Sequence, residues 1–148
     1  MSRTVVAVPA EGADADYARA LCRHQSAPLL AMASIILGDI DCAGEIVVAT
    51  LAAAGQVPDR DRTPPAHRTT RARLARSVYH RCLGHLAVGK YADRRRGAPL
   101  PFQDLWPGER AVVALALFSG LDIDQIAATL RTPAEVVATQ LESLLVSG

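Results

Sequence analysis

The sequence predicts an all-α fold with two small helical domains, the second containing a helix-turn-helix. Half of the 148 residues are apolar, which is enough to build a buried core, while only 4% are aromatic and alanine is abundant. Alanine is the strongest helix former and aromatic residues favour strands, so this composition favours helices packed through Ala, Leu and Val. Apolar residues also recur at spacings of three and four, as they do on one face of a helix.

The first domain is predicted to span residues 15–96, after a flexible tail at residues 1–14. A helical pattern begins near Asp16, and Pro28 is expected to interrupt it. The apolar segment that follows is predicted to be a buried helix, and it ends at Gly38, where glycine suits a C-terminal cap.

A second apolar helix is predicted between the acidic turn at Asp39 and Asp41 and the glycine at Gly55. A buried strand within residues 34–37 or 45–50 is an alternative, because a short apolar run fits either structure. The alanine-rich flanks favour the helix. Residues 56–70, rich in proline and charged side chains, are predicted to form a linker or a mobile loop.

Charge is unevenly distributed along the chain, although the net charge is only +1. Residues 1–59 hold 3 basic and 7 acidic side chains, residues 60–96 hold 11 and 2, and residues 97–148 hold 2 and 6. The basic middle block indicates a surface that faces a polyanion. Nucleic acid is the first expected partner of this block. An acidic protein, or the acidic ends of the same chain, is the alternative.

The basic block contains an amphipathic helical pattern, since Leu74, Val78, Cys82 and Leu86 repeat every four residues. The arginines of this block lie largely off that apolar stripe or directly after it, where they can reach phosphates. The predicted DNA-binding residues are Arg71, Arg73, Arg76, Arg81, Arg94, Arg95 and Arg96.

After a linker at residues 97–108, the second domain is predicted over residues 109–148. Its first helix is stopped by Gly120. Asp122 followed by Gln125 forms a capping-box pattern that begins the next helix. The run Thr132-Pro133-Ala134-Glu135 signals another helix start, with threonine as the cap and proline at the first helical position. Two helices joined by so short a turn have the layout of a helix-turn-helix.

These segments together resemble a bacterial RNA polymerase sigma factor of the extracytoplasmic-function type, roughly from Leu29 to Leu145. LWPGERAVVALALFSGLDIDQIAATLRTPAEVVATQLESLL is similar to the family's upstream promoter-reading domain, with Arg110 and Gly120 in matching places. LLAMASIILGDIDCAGEIVVATLAAA resembles the family's core-binding region, and RARLARSVYHRCLGHLAVGKYADRRRG resembles its DNA-facing basic helix. The resemblance implies an all-helical protein that binds the RNA polymerase core and guides it to promoter DNA.

The reading helix departs from the family pattern. Ala138, Gln140 and Ser143 stand where one lysine and two arginines are usual. Each missing phosphate contact removes a counterion-release contribution, so DNA binding by this domain is expected to be weak. A sigma mimic or adaptor is therefore the alternative function. It would bind an anti-sigma factor, another regulatory protein or a second copy of itself, without specific DNA binding.

Two surfaces are predicted to bind polymerase or another protein partner. One lies in the core-binding region and the other on the reading helix, whose outer face is small and mildly acidic. The residues assigned to these surfaces are Asp39, Asp41, Glu45, Val48, Glu135, Ala138, Thr139 and Glu142.

The sequence offers no support for an enzyme, a cofactor or a metal site. It has no P-loop, no G-x-G-x-x-G, no G-x-S-x-G and no H-E-x-x-H. Cys82 and His85 are three residues apart, but there is no CxxC pair to complete a zinc site. Cys22 and Cys82 lie on apolar stripes where buried thiols are common, so Cys42 is the thiol to test for reactivity.

A cytoplasmic location is expected. The chain has no apolar run of about 18 residues that could span a membrane. Its first residues are too acidic for a signal peptide. Three widely spaced cysteines do not make a disulfide framework, and they fit a reducing compartment.

Overall fold

A computed structural model of the chain describes the backbone of residues 2–87 and 107–147, and the side chains of residues 15–87, 108–144 and 146. The described residues are all-helical and contain no strand, which confirms the predicted fold class. The helices are α1 (Ser2–Leu37), α2 (Ile40–Gly55), α3 (Arg68–Ala87), α4 (Pro107–Phe118), α5 (Ile123–Leu130) and α6 (Ala134–Ser147). No helix of these two segments is long and apolar enough to cross a membrane.

Helix α1 is longer than the sequence predicts. It begins at Ser2, within the predicted flexible tail at residues 1–14, and it runs without interruption through Pro28. Leu21 and Met32, on either side of the proline, are both fully buried in the same core. Packing of one continuous apolar face outweighs the single backbone hydrogen bond that proline removes, because tertiary packing supplies most helix stability.

The turn between α1 and α2 has the predicted local chemistry. Gly38 adopts φ 72°, the left-handed conformation of a helix C-cap, and its N–H donates to the carbonyl of Ser34 over 2.8 Å. Asp39 caps α2, since its carboxylate accepts from the backbone N–H groups of Asp41 and Cys42. The alternative strands at residues 34–37 and 45–50 are wrong, because these residues lie inside α1 and α2.

One hydrophobic core joins the N-terminal and C-terminal helices. Helix α1 packs against α2, α3 and α4, and the buried face of α4, which includes Leu115, belongs to the same cluster as Leu29 of α1. Arg110 of α4 is buried, and it donates to the carbonyl of Ile36 in the last turn of α1. The division into domains at residues 15–96 and 109–148 stays a prediction. Most of the predicted linker, residues 97–106, lies outside the described residues.

Local capping interactions set the boundaries of α5 and α6. Asp122 and Gln125 form the predicted capping box at the start of α5, each side chain bonding the other's backbone N–H. Helix α5 ends at Arg131, which adopts φ 56°. Helix α6 begins at Ala134, one residue later than predicted, and the Thr132 hydroxyl donates to the carbonyl of Leu130 instead of capping α6.

Candidate functional site

The outer face of α3 presents basic side chains to solvent. Arg73 and His80 are exposed and Arg76 is half-buried, and their spacings of three and four place them on one side of the helix. Arg81 is also exposed, on the neighbouring side. Helical neighbours at these spacings lie about 5–6 Å apart at Cβ, close enough for several cations to act on one phosphate backbone. These residues form the basic face of α3.

Arg71, in contrast, points into the protein. Its Nε donates to Oε1 of Gln25 over 3.0 Å, and its Nη2 lies 3.4 Å from the carbonyl oxygen of His24. Gln25 is fully buried, and its Nε2 donates to the carbonyl of Pro65 over 2.7 Å. Arg71 thus joins α3, α1 and the loop before α3. These contacts make Arg71 a structural residue, although the sequence assigned it to DNA.

The spacing of Gln25 and Arg71 from apolar residues indicates that both lie on the inner faces of their helices. Gln25 stands four residues after Leu21 and four before Leu29, so it lies on the apolar face of α1. Arg71 stands three residues before Leu74, which places it on the apolar side of α3. A polar residue on a buried face needs a hydrogen-bond partner, and here the two polar residues satisfy each other.

A second arginine, unassigned from the sequence, links α3 to the C-terminal helices. Arg68 Nε lies 3.4 Å from the carbonyl oxygen of Gly120, in the turn between α4 and α5. Gly120 adopts φ 75°, and a Cβ there would lie 3.8 Å from Cγ of Arg68 and 3.9 Å from Cδ of Arg71. The start of α3 therefore contacts the turn between α4 and α5. Arg94, Arg95 and Arg96 lie outside the described residues.

The predicted partner-binding residues of α2 have different environments. Asp39 is half-buried, and its carboxylate caps α2 and accepts from the Cys42 thiol over 3.3 Å. Asp41, Glu45 and Val48 are exposed, and Val48 is 67% accessible. The last three can therefore contact a partner, whereas Asp39 has a structural role.

Helix α6 presents an acidic outer face. Glu135, Thr139 and Glu142 are exposed and Ala138 is half-buried. No lysine or arginine occurs in residues 134–147, so this face repels phosphates. Val137 is fully buried against the core. The described geometry thus separates a basic face on α3 from an acidic one on α6.

The cysteines differ from expectation in two of three cases. Cys22 is exposed and Cys42 is buried, the reverse of what the sequence predicted, because Cys42 lies on the core face of α2, where its thiol donates to Asp39. Cys82 is buried as predicted. Burial raises the pKa of its thiol to about 12. The pKa of Tyr79 is also raised, mainly because its side chain is buried and secondly because of the electrostatic effect of Cys82.

The described residues contain no group of three or more His, Cys, Asp or Glu side chains that could hold a metal ion. Among the described residues of α3, Arg73, Arg76, His80 and Arg81 make up a cationic outer face. Comparisons with protein-family models, with curated proteins and with solved structures found no match to this chain.

Proposed function

We propose that the protein is a divergent, sigma-factor-like transcription regulator of the cytoplasm. It binds the RNA polymerase core through Asp41, Glu45 and Val48 of α2. It contacts promoter DNA through the basic face of α3 and contributes to promoter recognition or transcription initiation. The observation that supports this proposal most is the pairing of an exposed arginine face with a capped helix α5 and the adjoining α6 in one all-helical chain.

The C-terminal helix-turn-helix serves in this proposal as a docking unit. Its turn is well formed, with the capping box at Asp122 and the left-handed residue at Arg131. The exposed Glu135 and Glu142 of α6 disfavour phosphate contact. Ala138, Gln140 and Ser143 also stand where sigma factors of this type usually have lysine or arginine. Polymerase would hold this unit near DNA, or the unit would bind protein.

Co-elution of the purified chain with RNA polymerase core tests the proposal, at two salt concentrations and with and without promoter DNA. We expect association with the core and a salt-sensitive gain when DNA is added, because phosphate contacts release counterions. The double variant Arg73→Ala/Arg76→Ala should lose the DNA-dependent gain and keep core association. Arg60→Ala, an exposed arginine of the loop before α3, is the matched control. Absence of both association and any change in transcription would refute the proposal.

A second function is favoured by the acidic outer face of α6. We propose as the alternative a sigma mimic or adaptor that binds an anti-sigma factor or another regulator through this face, without specific DNA binding. Glu135→Lys/Glu142→Lys should then abolish binding of the protein partner and leave the polymerase assay unchanged. Specific promoter binding by the wild-type chain would eliminate this alternative.

A further inference from the structure

An apolar groove runs along the outer surface of the α1–α2 hairpin. Its volume is about 550 Å³, and the residues that line it come from these two helices alone. Leu30, Val47 and Leu51 form its aliphatic floor, while Ala18 and Gly44 lie at its two ends. A Cβ added at Gly44 would meet nothing within 4 Å, so the groove is open at that position.

Val48 is an exposed aliphatic side chain at the edge of this groove. It lines the groove, yet 67% of its surface is accessible, a larger fraction than for the other exposed large aliphatic side chains described in α1–α5. Exposure of a branched aliphatic side chain next to an apolar depression is typical of a protein-binding surface. The same surface therefore carries both a protruding apolar side chain and an apolar groove.

The two ends of the groove have opposite charge. Gly55 packs against Ala18, so α1 and α2 are antiparallel and the groove runs from this end to Leu30 and Gly44. Arg19 and Arg23, next to the Ala18 end, are exposed, and Arg19 also pairs with Asp16 in its own helix. Exposed acidic residues, Asp41 and Glu45, flank the Gly44 end.

We propose that the groove is a homodimer interface whose occupant is the α1–α2 hairpin of a second copy of this chain. A two-fold rotation that exchanges the ends of the groove lays α2 of one copy against α2 of the other, so that each Val48 is covered by the partner copy. The same rotation brings Arg19 and Arg23 of one copy to Asp41 and Glu45 of its partner, twice. Two-fold interfaces require this kind of self-complementary surface.

Charge complementarity is what selects a second copy as the occupant. A single-signed partner helix would meet an attractive end and a repulsive end, whereas a second copy meets attraction at both. Asp41, Glu45 and Val48 are also the proposed polymerase contacts. The dimer concerns the chain alone, and it does not rest on polymerase binding.

Sedimentation velocity of the full chain over a range of concentrations tests the interface. The wild type should form a dimer as concentration rises, and Val48→Asp should raise the dissociation constant by at least about tenfold, because it places a charge in an apolar contact. Val146→Asp, at an exposed valine of α6, is the matched control and should dimerise like the wild type. Circular dichroism verifies that each variant is helical. A wild type that stays monomeric throughout, or equal effects of the two variants, would overturn the proposal.

A charge swap supplies a second test that folding defects cannot imitate. Arg19→Glu/Arg23→Glu alone, and Asp41→Lys/Glu45→Lys alone, should each dimerise about tenfold more weakly, because like charges then meet at both ends. An equimolar mixture of the two double variants should form a heterodimer, since opposite charges are restored at both ends. Failure of the mixture to associate more tightly than either variant alone would also overturn the proposal. Polymerase binding is tested separately, by co-elution of the wild-type chain with the core.

Discussion

The Arg71 guanidinium donates a hydrogen bond to the carbonyl oxygen of His24, with Nη2 3.4 Å from that oxygen. His24 precedes Pro28 by four residues, and within a helix its carbonyl would accept from the N–H of residue 28. Proline has no N–H, so this carbonyl lacks its usual intrahelical donor. Arg71 supplies a donor from α3, and this contact ties the basic helix to the gap that Pro28 opens in α1.

Arg71→Ala should lower the free energy of unfolding by about 1–3 kcal/mol, because the buried Gln25 side chain and the His24 carbonyl both lose a donor. Urea denaturation followed by circular dichroism measures the change. Arg76→Ala, on the outer face of the same helix, should stay within about 0.5 kcal/mol of the wild type. Equal stability of the two variants would show that the inward hydrogen bonds of Arg71 contribute nothing.

Pro28→Ala should reduce the cost of losing Arg71. Alanine brings a backbone N–H that can donate to the His24 carbonyl, so Arg71 is no longer its only available donor. In a double-mutant cycle, we expect Arg71→Ala to cost about 0.5–1.5 kcal/mol less in the Pro28→Ala background than in the wild type. If the two substitutions change the free energy of unfolding in a strictly additive way, Pro28 and Arg71 do not interact. Leu30→Ala, two residues away, gives the additive reference.

Asp122→Ala should lower the free energy of unfolding by about 1 kcal/mol, because Asp122 caps α5. Its carboxylate accepts from the Gln125 N–H over 2.8 Å, and alanine leaves that donor of the first turn of α5 without a partner. Asp122→Asn should retain most of the stability, because asparagine caps equally well. Thermal unfolding compares the variants. A loss for Asp122→Asn as large as that for Asp122→Ala would point to charge and not to capping.

Features set by neighbouring residues were predictable from the sequence. Gly38 and Asp39 fixed the boundary between the first two helices, and Asp122 fixed the start of α5, because caps act within one helical turn. The all-helical fold class followed from composition and apolar spacing. The beginning of α6 was misplaced by only one residue.

Features set by distant residues were not predictable. Continuity of α1 through Pro28 depends on core packing by three other helices, and the inward turn of Arg71 depends on Gln25, 46 residues earlier. A charge pattern alone cannot distinguish an arginine that faces solvent from one that completes a buried network. Of the predicted DNA-binding arginines whose side chains the structure describes, Arg71 alone falls outside the basic face, because it contacts the protein itself.

The buried thiol of Cys82 should make stability fall with rising pH above about pH 9. Its pKa is raised from 9.0 to about 12 by burial, so the folded state holds its proton over a range in which the unfolded state releases it. The stabilisation is complete below the unfolded pKa and is lost as pH rises toward the folded one, by about 1.4 kcal/mol per pH unit. Denaturation midpoints measured from neutral pH to about pH 11 should decline less steeply for Cys82→Ala than for the wild type. The exposed Cys22 supplies the control, because Cys22→Ala should keep the wild-type slope. A wild-type slope in Cys82→Ala would assign the alkaline loss to other groups, of which Tyr79, with its raised pKa, is the first to examine.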